Sequence, residues 1–247
     1  MQLQSDLMRL EMYNALKALK CMVKVMNAEN GYKRTDGSNY YYHLVDATQD
    51  LINFGIKDEV TITACLLHDY VEDVEGVSIQ VVADEYGQEV AQVVDMVTKK
   101  NGIDYKDADG ININNYLSTI LLSPRACLVK TADRKHNFST LDSTSAKHEA
   151  RQVAETEKHF IPFFKEARKR YPEYSAYFHS AKTTIVPHLK RIKKAIAEEG
   201  KLKDRIVELE LKLEQERKHI KALEKKNRRL ESENKTLKGG HANGRVG

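Results

Sequence analysis

Residues 57–73 read KDEVTITACLLHDYVED, and this stretch decides the fold class. Its middle, from Ile62 to Leu67, is mostly apolar, as in a buried helix. Burying several carboxylates is costly unless a cation compensates their charge, and an imidazole beside a carboxylate suits a divalent transition metal. We therefore predict one helix over residues 57–73 with a candidate metal site at its polar end. The ionisable side chains at that end are His68, Asp69, Glu72 and Asp73.

Helical periodicity continues on both sides of this stretch, and strand signals are scarce. One helix is marked by Leu44, Leu51 and Phe54 and ends at Gly55, and another opens near Leu7. Further helices are predicted over residues 78–97, 115–122, 125–141 and 147–169, with a loop at 101–110 and a kink or division at Pro162. We therefore expect an all-α fold in which residues 1–197 form one helical bundle.

A seven-residue repeat sets residues 198–238 apart from this bundle. With leucine at most d positions and Ile, Leu or Asn at the a positions, it is typical of a parallel two-stranded coiled coil. In such a pair Arg205 meets Glu210 of the second chain, which favours it. The d leucines are Leu202, Leu209, Leu223, Leu230 and Leu237, interrupted by Glu216, and the a positions are Ile206, Leu213, Ile220, Asn227 and Asn234.

This repeat predicts a homodimer through residues 202–237, followed by a disordered tail at 239–247. The alternative is a single amphipathic helix packed on its own domain, but that use needs a wider apolar stripe. A DNA-binding zipper is disfavoured because the segment AIAEEGKLKD (195–204), directly before the heptads, is not a basic helix.

Charge and cysteine content exclude several other classes. The net charge of +4 comes from residues 201–247, which hold fourteen Lys and Arg against eight Asp and Glu, so a nucleic-acid partner is not indicated. The cysteines, Cys21, Cys65 and Cys127, have neither zinc-site nor disulfide spacing. Without an apolar stretch long enough for a signal peptide or a membrane span, we expect a cytoplasmic protein and no membrane partner.

Two further segments carry candidate site residues. His43 follows three tyrosines and is expected to face inward at the start of a helix. Asp133, Asn137 and Thr140 share one helical face where an apolar stretch becomes polar. Each residue alone has an ordinary interpretation: His43 as a histidine at the edge of the core, Glu72 and Asp73 as a solvated helix end, Asp133 as an ion-pair partner. Together they favour a metal site assembled from three helices.

The segments RTDGSNYYYH (34–43), CLLHDYVEDVEG (65–76), VTKK (97–100) and LVKTADRKHNFSTL (128–141) resemble, in this order, the hydrolase domain of the RelA/SpoT homologue superfamily. The resemblance covers roughly residues 5–190. No synthetase or regulatory region is recognised after it, so the chain resembles the stand-alone small alarmone hydrolases with an HD domain.

The resemblance implies a Mn²⁺ site and a reaction. It implies that the attacking water is activated or oriented by Glu72 and Asp73, and that the 3′-pyrophosphate is removed from guanosine tetra- or pentaphosphate, (p)ppGpp. Lys99 and Lys130 are further candidates for phosphate contact, although each could be an ordinary surface lysine. The implied metal ligands are His43, His68, Asp69 and Asp133, and the implied nucleotide-binding residues are Arg34, Asn137 and Thr140.

Departures from the family pattern bear on the substrate more than on the metal. Thr35 stands where many members have a basic residue, Asn39 and Leu44 replace prolines, and Lys135 replaces an apolar residue. An HD phosphohydrolase acting on NADPH, (p)ppApp or a dNTP is therefore the second hypothesis. A non-catalytic scaffold that senses a nucleotide is the third, and the intact Glu72–Asp73 pair speaks against it.

Overall fold

The computed structural model describes residues 2–107, 109–141 and 144–242, with side chains as far as Thr236. It divides the chain into two compact units, Met1–Lys193 and Lys194–Gly247. Within the described residues the fold is all-α, as predicted, and the extended pairing is limited to one isolated bridge between Lys33 and Asn39. None of the described helices combines the length and apolarity needed to cross a membrane.

The helices of the first unit follow one another through short connections. They are α1 (Gln2–Arg9), α2 (Tyr13–Val25), α3 (Tyr41–Asn53), α4 (Glu59–Leu67), α5 (Tyr70–Asp73), α6 (Ile79–Tyr86), α7 (Gln88–Val97), α8 (Ile111–Ile120), α9 (Pro124–Ser139), α10 (Ala146–Glu155) and α11 (Ile161–Arg170). A π-helical turn, Thr156–Phe160, joins α10 to α11, and α12 (Ser175–Ala242) begins in this unit and continues into the second.

Helix α4 is the centre of the bundle. Every residue from Thr61 to Leu67 is buried, and the helix packs against α2, α3, α7 and α9. Asp58 begins the helix, because its side chain accepts a hydrogen bond from the backbone N–H of Thr61 at 3.0 Å. Arg125 of α9 donates to the same carboxylate at 2.9 and 3.1 Å. The cap of α4 is therefore tied to the start of α9.

Several helix boundaries differ from the sequence-based prediction. The predicted helix over residues 57–73 is interrupted at His68 and Asp69, so that α4 and α5 are separate. The predicted helix over 78–97 is divided at Gly87, whose φ of +94° is left-handed and accessible mainly to glycine. The predicted end at Gly55 is confirmed, with φ +87°. The division expected at Pro162 falls just before it, in the π-helical turn.

The second unit consists of the C-terminal part of α12. Its apolar residues on the predicted heptad stripe are exposed wherever side chains are described, with Leu202 65% and Leu209 48% exposed. The side chain of Leu237 and residues 243–247 of the predicted tail lie outside the described residues, and the helix is described as far as Ala242. The boundaries at 197 and 238 stay predictions.

Candidate metal centre and the adjoining cavities

The ends and faces of three helices bring four ligand-type side chains to one point. His43 lies at the start of α3, His68 and Asp69 form the break after α4, and Asp133 lies on α9. The His43 Nε2 atom lies 3.3 Å from His68 Nε2, 3.3 Å from Asp133 Oδ1 and 3.7 Å from Asp69 Oδ2. The His68 Nε2 atom lies 3.1 Å from Asp69 Oδ2 and 3.7 Å from Asp133 Oδ1.

Hydrogen bonds hold His68 and Asp69 in this arrangement. The His68 Nδ1 atom lies 2.6 Å from the backbone carbonyl oxygen of Cys65, so Nδ1–H donates and Nε2 is the nitrogen that faces the cluster. The Tyr40 hydroxyl donates to Asp69 Oδ2 at 2.7 Å. The break in the helix at these two residues lets adjacent side chains turn toward the same point.

Asp133 is held by two residues that were predicted to bind substrate. The Lys130 ammonium donates to Asp133 Oδ2, and the Asn137 amide donates to Asp133 Oδ1, both at 2.6 Å. Lys130 is 8% exposed, so this ion pair is buried. The two donors fix the orientation of the carboxylate at the cluster, in addition to any contact with a substrate.

The electrostatics of the cluster favour charged forms in spite of burial. Burial opposes ionisation of Asp69, but the neighbouring His68 lowers the pKa of its carboxyl to about 2. Burial likewise opposes the charged form of Asp133, and Lys130 nevertheless holds its pKa well below the usual range. The pKa of His68 is raised because Asp69 and Asp133 outweigh its desolvation. Anionic and cationic groups are therefore packed against one another.

The donor set fits a divalent cation. The ligand atoms of His43, His68 and Asp69 all lie within 4.8 Å of one another, with Asp133 Oδ1 close to both imidazoles. Two Nε2 atoms at 3.3 Å repel each other unless a proton or a cation lies between them. Imidazole nitrogens with carboxylate oxygens form a set that first-row divalent metals accept.

A cavity of about 460 Å³ opens beside the cluster. Asp133 and Glu72 line it, together with Lys99 and Lys130. The backbone N–H of Lys99 donates to Glu72 Oε2 at 3.2 Å, which links the start of the 98–110 loop to α5. Asp73 is exposed on α5, where partial desolvation and the charges of Asp69 and Glu72 raise the pKa of its carboxyl to about 6.

A second cavity of about 230 Å³ adjoins the first and shares Asn137 and Gln152 with it. Arg34, Tyr40 and Thr140 line it, and the Arg34 guanidinium donates to Thr140 Oγ1 at 2.7 Å. The structure thus places Arg34, Asn137 and Thr140 together, as the resemblance implied. It places Lys99 and Lys130 in the first cavity.

Sequence reasoning missed three residues of this region. Tyr40 binds Asp69, Gln152 lines both cavities, and His136 contacts His43. Tyr40 and His136 lie within the motifs RTDGSNYYYH and LVKTADRKHNFSTL, so their position was a usable signal. Gln152 has no comparable signal, because it comes from α10, which follows the last site motif.

Comparison with known proteins shows which family the chain is similar to. The HD domain family matches residues 18–166, which is more than half of the chain. A protein of Mycobacterium leprae named "Probable GTP pyrophosphokinase" is 34% identical over 124 residues, which are 50% of this chain and 16% of that protein. The guanosine-3′,5′-bis(diphosphate) 3′-pyrophosphohydrolase of Haemophilus influenzae is 30% identical over 139 residues, 55% of this chain and 20% of that protein.

The chain belongs to the HD domain family, and its resemblance to the RelA/SpoT proteins is confirmed by these relatives. It spans no more than about a fifth of the length of these two curated relatives. A solved structure described as "A metazoan ortholog of SpoT hydrolyzes ppGpp and plays a role in starvation responses" is 20% identical, with a TM-score of 0.48, covering 74% of this chain and 94% of that one.

Proposed function

We propose that this HD domain is a divalent-metal-dependent hydrolase that removes the 3′-pyrophosphate from (p)ppGpp, with Mn²⁺ as its metal. The observation that carries the proposal is the convergence of ligand atoms from α3, the α4–α5 break and α9 beside a cavity lined by lysines. The name of the Haemophilus influenzae relative supports the same reaction.

In this proposal His43, His68, Asp69 and Asp133 hold the metal. A divalent ion there supplies Lewis acidity, which offsets the charge that develops on phosphoryl oxygens and makes water more acidic. Tyr40 keeps the Asp69 carboxylate oriented, and Lys130 and Asn137 do the same for Asp133. These contacts hold the ligand oxygens in place before the metal binds.

Glu72 and Asp73 act on the attacking water. Glu72 lines the same cavity as Asp133, and Asp73 is close enough to Asp69 for the two charges to interact. In our proposal one carboxylate orients the water and the other accepts its proton. The pair lies on α5, one helical turn after the ligands, so the peptide chain itself fixes its distance from them.

The nucleotide lies across the two cavities. Lys99 and Lys130 bring positive charge to the larger cavity, where phosphate groups bind, and Arg34, Asn137 and Thr140 line the smaller one. Asn137 lines both cavities and therefore contacts the nucleotide between its two ends. NADPH, (p)ppApp and dNTPs are the alternative substrates, because Thr35 in the wall of the smaller cavity adds no charge there.

A substrate panel tests the proposal. The EDTA-treated chain is reloaded with Mn²⁺, Mg²⁺ or Zn²⁺ and incubated with guanosine tetraphosphate, NADPH and dNTPs, and the products are separated by ion exchange. We expect pyrophosphate and GDP from guanosine tetraphosphate, fastest with Mn²⁺. A fully metal-loaded protein that is inert toward every nucleotide contradicts the proposal. Turnover of NADPH alone would mean that NADPH, and not (p)ppGpp, is the substrate.

Two variants separate the metal ligands from the carboxylate pair. Asp133→Ala should abolish both turnover and the rise in Tm that Mn²⁺ produces, because a ligand is lost. Asp73→Asn should abolish turnover and keep the Tm shift. Glu75→Gln is the matched control, since Glu75 is an exposed carboxylate two residues further on, and it should leave both properties unchanged. Full turnover in Asp73→Asn contradicts the assigned role.

We also propose that the second unit forms a parallel coiled-coil homodimer. A helix with exposed leucine and isoleucine in a heptad frame needs a partner helix to bury them. The exposed stripe consists of Leu202, Ile206, Leu209, Leu213, Ile220, Leu223 and Leu230. The double substitution Leu209→Glu and Leu223→Glu should make the full chain monomeric in light scattering.

The control for the dimer uses Val207 and Leu211. Both are about as exposed as the stripe residues but lie off the a and d positions, so the same change to Glu should leave the dimer intact. A wild-type chain that is monomeric at high concentration contradicts the proposed dimer and has no bearing on the proposed metal site.

A further inference from the structure

The partly buried contact between His43 and His136 has no place in the reaction described so far. Their Nδ1 atoms are 2.7 Å apart, and the rings meet edge to face with centroids 4.7 Å apart. His43 is 1% exposed. At this distance one Nδ1 atom carries a proton and the other accepts it, because two bare nitrogens repel each other.

The surroundings of the two rings decide which nitrogen donates. The far nitrogen of His136, Nε2, lies 3.4 Å from Asp46 Oδ2, and a carboxylate beside it favours a proton on that nitrogen. A neutral His136 protonated at Nε2 has a bare Nδ1 atom. A cation at the cluster takes the Nε2 lone pair of His43, which otherwise faces Asp133 Oδ1 at 3.3 Å. In the metal-bound protein the proton in the contact therefore belongs to His43, whose Nδ1–H donates to His136.

The consequence lies on the other side of the His43 ring. A neutral His43 with its proton on Nδ1 has its Nε2 lone pair free, and Nε2 is the atom 3.3 Å from both His68 Nε2 and Asp133 Oδ1. The opposite tautomer would place N–H at the point where a metal must bind. His68 obtains the same tautomer from the carbonyl of Cys65, whereas His43 obtains it from a side chain.

We propose that His136 is a positioning residue that holds His43 in the metal-binding tautomer. The inference rests on the proposed metal site, and His136 itself touches neither metal nor substrate. The Asp46 side chain is 62% exposed, so its carboxylate affects the tautomer of His43 less than the direct contact with His136 does. Loss of a hydrogen-bond partner behind a metal-binding histidine typically weakens metal binding by about 10- to 100-fold.

Two variants of the full chain test the role of His136. In His136→Asn the side-chain oxygen takes the place of Nδ1 and accepts the same hydrogen bond, whereas His136→Leu has no acceptor. Titration with Mn²⁺, followed by the EPR signal of the free ion, should show about 10- to 100-fold weaker binding for the Leu variant. The Asn variant should recover most of the affinity. Equal affinity in wild type and the Leu variant overturns the proposal.

A measurement on the wild-type chain keeps the proposal testable even if the Leu variant does not fold. Long-range ¹⁵N–¹H correlation spectra, recorded on the metal-free and Zn²⁺-loaded chain, identify the tautomer of each imidazole. In the Zn²⁺-loaded chain we expect His43 protonated at Nδ1 and His136 at Nε2, and a proton on Nδ1 of His136 refutes its role. Failure of the wild type to bind any divalent ion refutes the proposed metal site instead, so the two failures are distinguishable.

Discussion

Replacing Lys130 by Met tests how much the positive charge of Lys130 stabilises the carboxylates of the candidate metal centre. Methionine keeps the length of the lysine stem and removes the ammonium that donates to Asp133 Oδ2 at 2.6 Å. The Lys130 and Asp133 side chains are only 10% and 7% exposed, so water replaces the lost partner only in part. The variant therefore leaves a buried carboxylate beside that of Asp69 with less positive charge nearby.

The expected loss of stability is large when no metal is bound. Removing one partner of a buried ion pair typically costs about 3–5 kcal/mol. For a domain of this size each kcal/mol lowers Tm by about 2–4 °C, so we expect a fall of about 6–20 °C. A divalent ion at the cluster replaces the missing positive charge, and the difference from wild type should narrow when Mn²⁺ is saturating. By linkage, the variant should bind the ion more tightly than wild type, because the lost repulsion from the Lys130 ammonium outweighs the lost hydrogen bond that orients Asp133.

Lys135→Met is the matched control for this experiment. Lys135 lies on the same helix and pairs with Asp50 at 2.7 Å, but Asp50 is not part of the cluster. Both variants lose a Lys–Asp pair, and only Lys130→Met should respond to metal more strongly than wild type. The assay is thermal unfolding followed by circular dichroism, with EDTA or with Mn²⁺. Two variants with the same metal response refute the charge-balance argument.

Two further predictions concern stability away from the metal ligands. Burial opposes ionisation of Glu155, yet Arg134 lowers the pKa of its carboxyl. Their ion pair therefore stabilises the fold above the pKa that Glu155 has in the unfolded chain. This contribution is lost as the pH falls through the pKa that Glu155 has in the folded chain. Urea unfolding at a series of pH values should therefore show a flatter acid limb for Glu155→Gln, and an unchanged slope contradicts the assignment. Ser123→Ala removes the hydroxyl that accepts the Ala126 N–H at the start of α9 and should cost about 0.5–2 kcal/mol in urea unfolding. Ser118→Ala, at an exposed position inside α8, should cost nothing.

The fold class and the convergence of four ligand-type side chains could be predicted from the sequence because both rest on local patterns. The apolar period along each helix gives the all-α bundle, and Gly55 ends α3 through its own backbone freedom. Charged side chains at the end of a buried helix need a compensating charge, and this marks His68 and Asp69 as candidate site residues. The convergence of His43 and Asp133 on them was expected from the motif order and is present in the structure.

What the sequence did not predict depends on contacts between distant segments. No proline or glycine marks the break at His68 and Asp69, which lies at the end of α4, the helix that packs against α3 and α9. Arg134 reaches Glu155 at 2.6 Å and stacks 3.6 Å from the centre of the Phe160 ring. Such partners are chosen by tertiary packing, so the period of a single helix cannot identify them.

The central claim is that side chains from three segments bind one divalent cation. Anomalous diffraction at the manganese edge, from crystals of the Mn²⁺-loaded chain, tests it directly. We expect a single peak within coordination distance of His43 Nε2, His68 Nε2, Asp69 and Asp133. A peak elsewhere, or no peak at this cluster in a protein that binds the ion in solution, contradicts it.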